Sequence, residues 1–187
     1  MRLADPWCLF YLPVGGGENV RDVTYDPTLV FRVDSISSFW RVFNNVPEPK
    51  DMGIGTLYLF RDGINPKWED PRNRDGGVVR VKLDATTIGE AWTVLLCRTV
   101  GESWSKSVRN VVNGVALKVR ERAFILEVWV TENTAELISD ISELLHQFLG
   151  GAFPLSYTLH SVAQERAAAA ALAEKEKKKN KINARHW

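Results

Sequence analysis

Cysteine is scarce in this chain. Two residues in 187, Cys8 and Cys97, each lie in an apolar run with no CxxC spacing. That rules out a disulfide framework and a thiolate metal site, and leaves two buried free thiols in a reducing compartment. Histidine is nearly as scarce: His146, His160 and His186 fall on a helix, a strand and the C-terminal tail, with no shared motif. No HExxH, GxSxG or phosphate-loop string occurs, and no glutamate-rich helix gathers metal ligands. Charge of one sign is not in excess either, since 24 basic against 23 acidic residues leave a net +1. A global field of the kind that marks nucleic-acid binders is therefore absent, and any basic site has to be local. No apolar run approaches the ~20 residues of a membrane span. The N-terminal MRLADPWCLFYLP lacks the basic start, long apolar stretch and cleavage site of a secretory signal. The expectation is a cytoplasmic protein, with the nucleus also open to it, that binds rather than catalyses and uses no cofactor or metal.

What the chain does have is tryptophan, seven residues of it, within an otherwise ordinary composition of 45% hydrophobic and 25% charged residues. The length suits one domain with a full core. Trp7–Leu12 (WCLFYL) reads as a buried strand ended by Pro13 and the Gly15–Gly17 run, and Leu29–Val33 as a second. Asp34 is placed to cap a helix with Ile36, Phe39, Trp40 and Phe43 at i, i+3, i+4, i+7 spacing, closed by Pro47. Thr56–Phe60 and Val78–Leu83 read as strands around a loop. A second helix starts near Asp84–Thr87, where Thr87 and Glu90 have capping-box spacing, and carries Ile88, Ala91, Trp92, Leu95 and Leu96 on its apolar face. Val111–Arg120 and Phe124–Thr131 form a hairpin, a third helix runs from about Thr134 to Gly150, and Leu155–His160 is a last strand. The predicted fold class is α+β: a curved, mostly antiparallel sheet with three helices on one face. Residues 1–160 make the domain. Residues 161–187, rich in alanine and lysine, make a tail whose helix has almost no apolar face.

The loop DGINPKWEDPRNRDGG, Asp62 to Gly77, sets the functional question. Asn-Pro, Asp-Pro and Gly-Gly mark it as a surface loop, yet it carries Trp68 directly before Glu69 and Asp70. Either the indole folds back onto the core or it waits for a ligand. An indole face attracts cations and stacks on flat rings, and a glutamate accepts two hydrogen bonds from adjacent N–H groups, the pair that guanine presents. In the hairpin, alternation puts Ala116, Lys118 and Arg120 on one face, with Arg122 in the turn. These are either a solvated strand edge or a phosphate clamp. Trp129 shares a sheet face with Glu127 and Ile125.

These strings together resemble the messenger-RNA 5′-cap-binding proteins of the translation initiation factor 4E family. The resemblance runs from about Pro6 to Ser161. It is carried by WCLFYL, by DSISSFW at Asp34–Trp40, by LFRDGINPKWED at Leu59–Asp70, by NRDGG at Asn73–Gly77, by GES at Gly101–Ser103 and by V-x-V-T-E at Val128–Glu132. It implies a ligand on the concave sheet face, with 7-methylguanine held between two aromatic rings and by a glutamate. By this likeness Trp68 is the second stacking residue, Glu69 the base-edge acceptor, Trp129 the tryptophan beside the N7-methyl, Arg120 the main phosphate ligand and Arg122 a further basic position.

Several positions depart from the family pattern. A first stacking tryptophan is missing between Trp7 and Trp40; Tyr25 is the matching aromatic, and Phe31 the alternative. Ile125 stands where a second phosphate-binding lysine is usual, and Val79 replaces a tryptophan. On the helical side, Trp40 and Ile36 match the surface that takes a partner helix with a Tyr-x4-Leu-apolar motif, while Thr93 replaces a leucine. The resemblance implies capture of capped messenger RNA and recruitment of a scaffold initiation factor or a 4E-binding protein. A cap-binding repressor that does not recruit the scaffold is the alternative. The short N-terminus, glycine-rich loop and tail are similar to divergent trypanosomatid paralogues, which implies a hypermethylated cap.

Overall fold

A computed structural model describes residues 1–13 and 25–165, together with 168, 169, 172, 173 and 176. The Gly15–Gly17 stretch and most of the tail lie outside the described residues. Seven strands form one sheet: β1 (Arg2–Pro13), β2 (Thr28–Ser35), β3 (Gly55–Arg61), β4 (Gly77–Leu83), β5 (Val112–Arg120), β6 (Ala123–Val130) and β7 (Leu155–Leu159). Their spatial order is β2-β1-β3-β5-β6-β4-β7, and the strand pairings are antiparallel. Register shifts in the β1–β2 and β5–β6 pairs mark bulges, which bend a sheet. The α+β class and the curved antiparallel sheet are as the sequence predicts.

Among the described residues three α-helices cover the convex face: α1 (Ile36–Phe43), α2 (Ile88–Val100) and α3 (Ala135–Leu149). A 3-10 turn at Pro49–Asp51 adds to them, and residues 160–165 begin a further helix straight after β7. Ser161 lies inside that helix. No described helix is long and apolar enough to cross a membrane.

Strand alternation sorts the side chains into two layers. Trp7, Leu9, Leu57, Leu59, Val79, Val81, Leu117, Leu126 and Val128 face the helices and join Phe39, Trp92, Leu95, Ile141 and Leu145 in the main core. Cys8, Phe10, Tyr58, Phe60, Val78, Ala116 and Trp129 face the other way and form a smaller, aromatic cluster. Val79 belongs to the main core, so its exchange for a tryptophan is a matter of packing.

The caps differ in detail from the sequence reading. Ser35, not Asp34, caps α1: its hydroxyl accepts from the Ser38 amide while Ser38 reaches back to the Ser35 backbone. Asp34 instead accepts from the Ser38 hydroxyl. Thr87 makes no side-chain cap on α2. Asp84 serves that end, accepting from the amides and hydroxyls of Thr86 and Thr87. Those four bonds, the Thr86 and Thr87 hydroxyls first, hold its carboxyl down at about 2. Thr134 caps α3 as expected, and Gly150 ends it in the left-handed region at φ 69°.

Candidate functional site

The sheet face without helices is built on three aromatic rings. Tyr58 and Phe60 on β3 and Trp129 on β6 meet edge to face at 5.3–6.4 Å between centroids. Gly114, the Trp129 ladder partner on β5, makes room for them: a Cβ there would lie 2.3 Å from the Phe60 ring. Trp129 is buried and forms the floor, with the His160 ring 4.4 Å from its own.

Beside this floor stands Glu127, fully buried and ionised. Its carboxylate accepts from Arg80 Nε at 2.6 Å, from Lys118 Nζ at 2.7 Å and from Trp129 Nε1 at 3.0 Å. Burial works against its charge, but Lys118 and Arg80 more than offset this and hold the carboxyl below its ordinary range. Glu127 therefore fixes both the tilt of the Trp129 indole and the position of the Lys118 ammonium. Arg120 lies further along the same face of β5, its Nη1 donating to the Gly55 and Val119 carbonyls. Arg122 occupies the exposed hairpin turn.

The loop between β3 and β4 overhangs this floor, and its polar residues make it stiff. Asp70 accepts from the Asn65 and Arg72 amides, and buried Asn73 donates to the Asn65 and Lys67 carbonyls. Asn113 of β5 reaches up to Asn73 and to the Arg72 carbonyl, which ties the loop to the sheet. Gly63 turns the chain out of β3 at φ 79°. At the other end Gly76 passes so close to β6 that a Cβ would overlap the Val130 carbonyl.

Held in this way, Trp68 faces Tyr25. Their rings are 6.1 Å apart at centroid and only 12° from parallel. Neither ring is buried, as a flat-ring binding slot requires. A guest ring in ~3.5 Å contact on both sides needs the two planes about 7 Å apart, so the pair has to open to take one. Tyr25 lies in no helix or strand; what orients it is a 2.7 Å hydrogen bond between its hydroxyl and that of Tyr58. Burial first, and then the Glu127 charge, push the Tyr58 phenol up to about 12 against the lowering effect of its hydrogen bond with Tyr25, and burial raises the Tyr25 phenol as well, so both stay neutral. Lys67 and Asp26, the residues beside the two rings, form an ion pair across the gap. Glu69 is exposed next to Trp68.

The sequence-predicted residues thus fall into two groups. Tyr25, Trp68, Glu69, Trp129, Lys118 and Arg120 gather on the concave side, with Arg122 at its rim; Phe31 sits on β2, two strands from Tyr58. Trp40 and Ile36 are exposed on α1, beside a groove that Leu3, Cys97 and Val100 also line. Thr93 lies apart from that groove, half-buried on α2, its hydroxyl donating to the Gly89 carbonyl. Sequence reasoning passed over Tyr58, Glu127 and Arg80. Alternation in TLYLF and VVRVKL was the available signal for Tyr58 and Arg80, and a lone glutamate inside FILEVWV was the signal for Glu127.

Comparison with known proteins decides the family. The model of the eukaryotic initiation factor 4E family matches residues 2–178. The chain belongs to this family. Among curated 4E factors, that of Candida glabrata is 31% identical over 171 residues, which cover 88% of this chain and 80% of the relative. Two solved 4E structures superpose closely. The eIF4E-3 of Caenorhabditis elegans, in complex with the 4E-binding protein Mextli and cap analog, gives a TM-score of 0.78 at 26% identity, covering 88% of this chain and 96% of that one. The eIF4E-3 of Ascaris suum with m7G cap gives 0.76 at 25%, covering 86% and 92%. Proteins of the 4E family are translation factors, not enzymes.

Proposed function

We propose that this 4E-family protein binds the 7-methylguanosine cap of messenger RNA between Tyr25 and Trp68. The observation that carries the proposal is the near-parallel pair of rings, Tyr25 exposed and Trp68 half-buried, beside the aromatic floor of the sheet. A base methylated at N7 carries positive charge, so two facing aromatic rings hold it by stacking and by cation–π attraction. Stacking on one aromatic side chain contributes ~1–3 kcal/mol. Glu69, next to Trp68, accepts from the N1–H and N2–H edge, which selects guanine. Trp129 closes the slot beside the methyl group, and Lys118 and Arg120, with Arg122 beyond, neutralise the phosphates. The two superposed structures that hold cap ligands support this reading.

On the opposite side, exposed Trp40 and Ile36 are read as the docking surface for a partner helix of the Tyr-x4-Leu-apolar type, a scaffold factor or a 4E-binding protein. Thr93, which lies apart from the groove beside Trp40 with its hydroxyl turned to the Gly89 carbonyl, offers no leucine to such a helix, so the set of accepted partners is narrowed. That favours, as a second reading, a cap-binding repressor that does not recruit the scaffold.

Intrinsic tryptophan fluorescence tests the main reading. Addition of 7-methyl-GTP is expected to quench emission, GTP to quench it far less, and Trp68→Ala and Glu69→Ala to abolish the response. Equal quenching by both nucleotides would show a general nucleotide site and overturn methyl selectivity.

A further inference from the structure

The concave face changes character along its strands, and the ladder registers show how. At one level Trp129 lies opposite Gly114 on β5 and Val78 on β4. Two residues on, about 7 Å further, Glu127 lies opposite Ala116 and Arg80. Two residues beyond that, Ile125 lies opposite Lys118 on β5 and Lys82 on β4. The final level is Arg120 opposite Ala123. Aromatic rings therefore give way to Arg80, Lys82, Lys118 and Arg120, in one direction along the sheet.

These four cations are not equivalent. Arg80 and Lys118 both turn to the Glu127 carboxylate. One guanidinium nitrogen of Arg120 is committed to backbone carbonyls. Lys82 is exposed and has no ion pair among the described residues. It borders the half-buried Ile125 on one side of β6, as Lys118 does on the other. The strand between them lacks a cation, and its two neighbours, each ~4.8 Å away, supply one apiece.

The slot lies one level from this pair. Tyr25 is anchored on Tyr58, and Tyr58 shares the level of Ala116 and Glu127 through its pairing with Ala116. A ring between Tyr25 and Trp68 thus has the two lysines about 7 Å further along the strands, a span that a phosphate chain on that ring's sugar can cover. An ammonium is a point charge that donates to a phosphate oxygen from many directions, and an apolar neighbour such as Ile125 weakens the local screening of that attraction.

We infer that Lys82, together with Lys118, forms an anion site around Ile125 for the phosphate chain of a nucleotide whose base occupies the slot. The inference rests on the cap-binding reading above and adds a residue of β4 to it. The phosphates come either from the nucleotide's own chain or from the RNA that follows it.

The test titrates wild type, Lys82→Gln and Lys82→Arg with 7-methylguanosine mono-, di- and triphosphate and with a short capped RNA, at several salt concentrations. Lys82 is exposed, so neither variant endangers the fold. The monophosphate is expected to bind Lys82→Gln as it binds wild type, while the triphosphate loses about tenfold. The slope of log affinity against log salt becomes shallower by about 1, and Lys82→Arg restores most of both. A loss confined to the capped RNA supports the site and assigns it to the RNA backbone. Equal affinities of Lys82→Gln and wild type for every ligand at every salt overturn it and leave the cap-binding reading standing. Wild type that binds none of the methylated ligands overturns that reading, and the anion site with it.

Discussion

Tyr25 has no regular structure to hold it, and yet its ring is within 12° of parallel to that of Trp68. The hydroxyl contact with Tyr58 provides the constraint, because Tyr58 is fully buried in the interior strand β3 and packed edge-on against Phe60 and Trp129. Tyr58→Phe keeps those edge contacts and removes the anchor. A neutral hydrogen bond is worth about 1 kcal/mol, so 7-methyl-GTP affinity is expected to fall about fivefold, measured by fluorescence titration. Tyr25→Phe should do the same and the double variant no worse than either, since the two hydroxyls act as one unit. Additive losses would show that the pair is not coupled. Trp68–Glu69 was legible in the sequence because both residues sit in one unbroken string. The Tyr25–Tyr58 link was not, since it joins residues 33 positions apart that only the fold brings together.

At the level of elements, periodicity located the strands and helices and misplaced their ends. Asp34 and Ser35 are both good capping residues and stand side by side; the extended backbone at Ser35, φ −148° and ψ 159°, gives Ser35 the cap. Such a choice depends on how the chain leaves β2, which no local pattern records. The amphipathic spacing of α1 was equally ambiguous about Trp40. By spacing it belonged to the core, but Phe39 is the buried residue, and Trp40 packs on Phe39 and Phe43 while staying 42% exposed. Because so much of the ring faces solvent, Trp40→Ala should fold normally and still show quenching by 7-methyl-GTP. It should lose binding of a Tyr-x4-Leu-apolar peptide, read by fluorescence anisotropy of the labelled peptide. Unchanged peptide binding would move the partner surface elsewhere.

Across the whole molecule, two buried ionisable groups under the concave floor tie stability to pH. His160 has its pKa brought down to about 4, first by burial and then by Arg80 and Lys118, against the pull of Glu127. An unfolded histidine titrates near 6.5, so between these values the unfolded chain takes up a proton that the folded one refuses. Stability should be full above about pH 6.5 and fall as the pH drops towards about 4. Glu127, whose pKa is lowered in the fold, adds a further loss at still lower pH. Urea midpoints measured across this range should fall for wild type and stay flatter for His160→Gln; parallel curves would remove His160 from the account. The order of strands in the sheet was the least legible feature of all, because antiparallel alternation reveals faces and not neighbours. That order has a consequence during synthesis. β4, with the apolar Val78, Val79 and Val81, pairs only with β6 and β7, and Ala123 at the start of β6 comes forty positions after Leu83. At ~5–20 residues per second, a ribosome leaves β4 without a partner for about 2–8 s, long enough for a chaperone to be the first thing it meets.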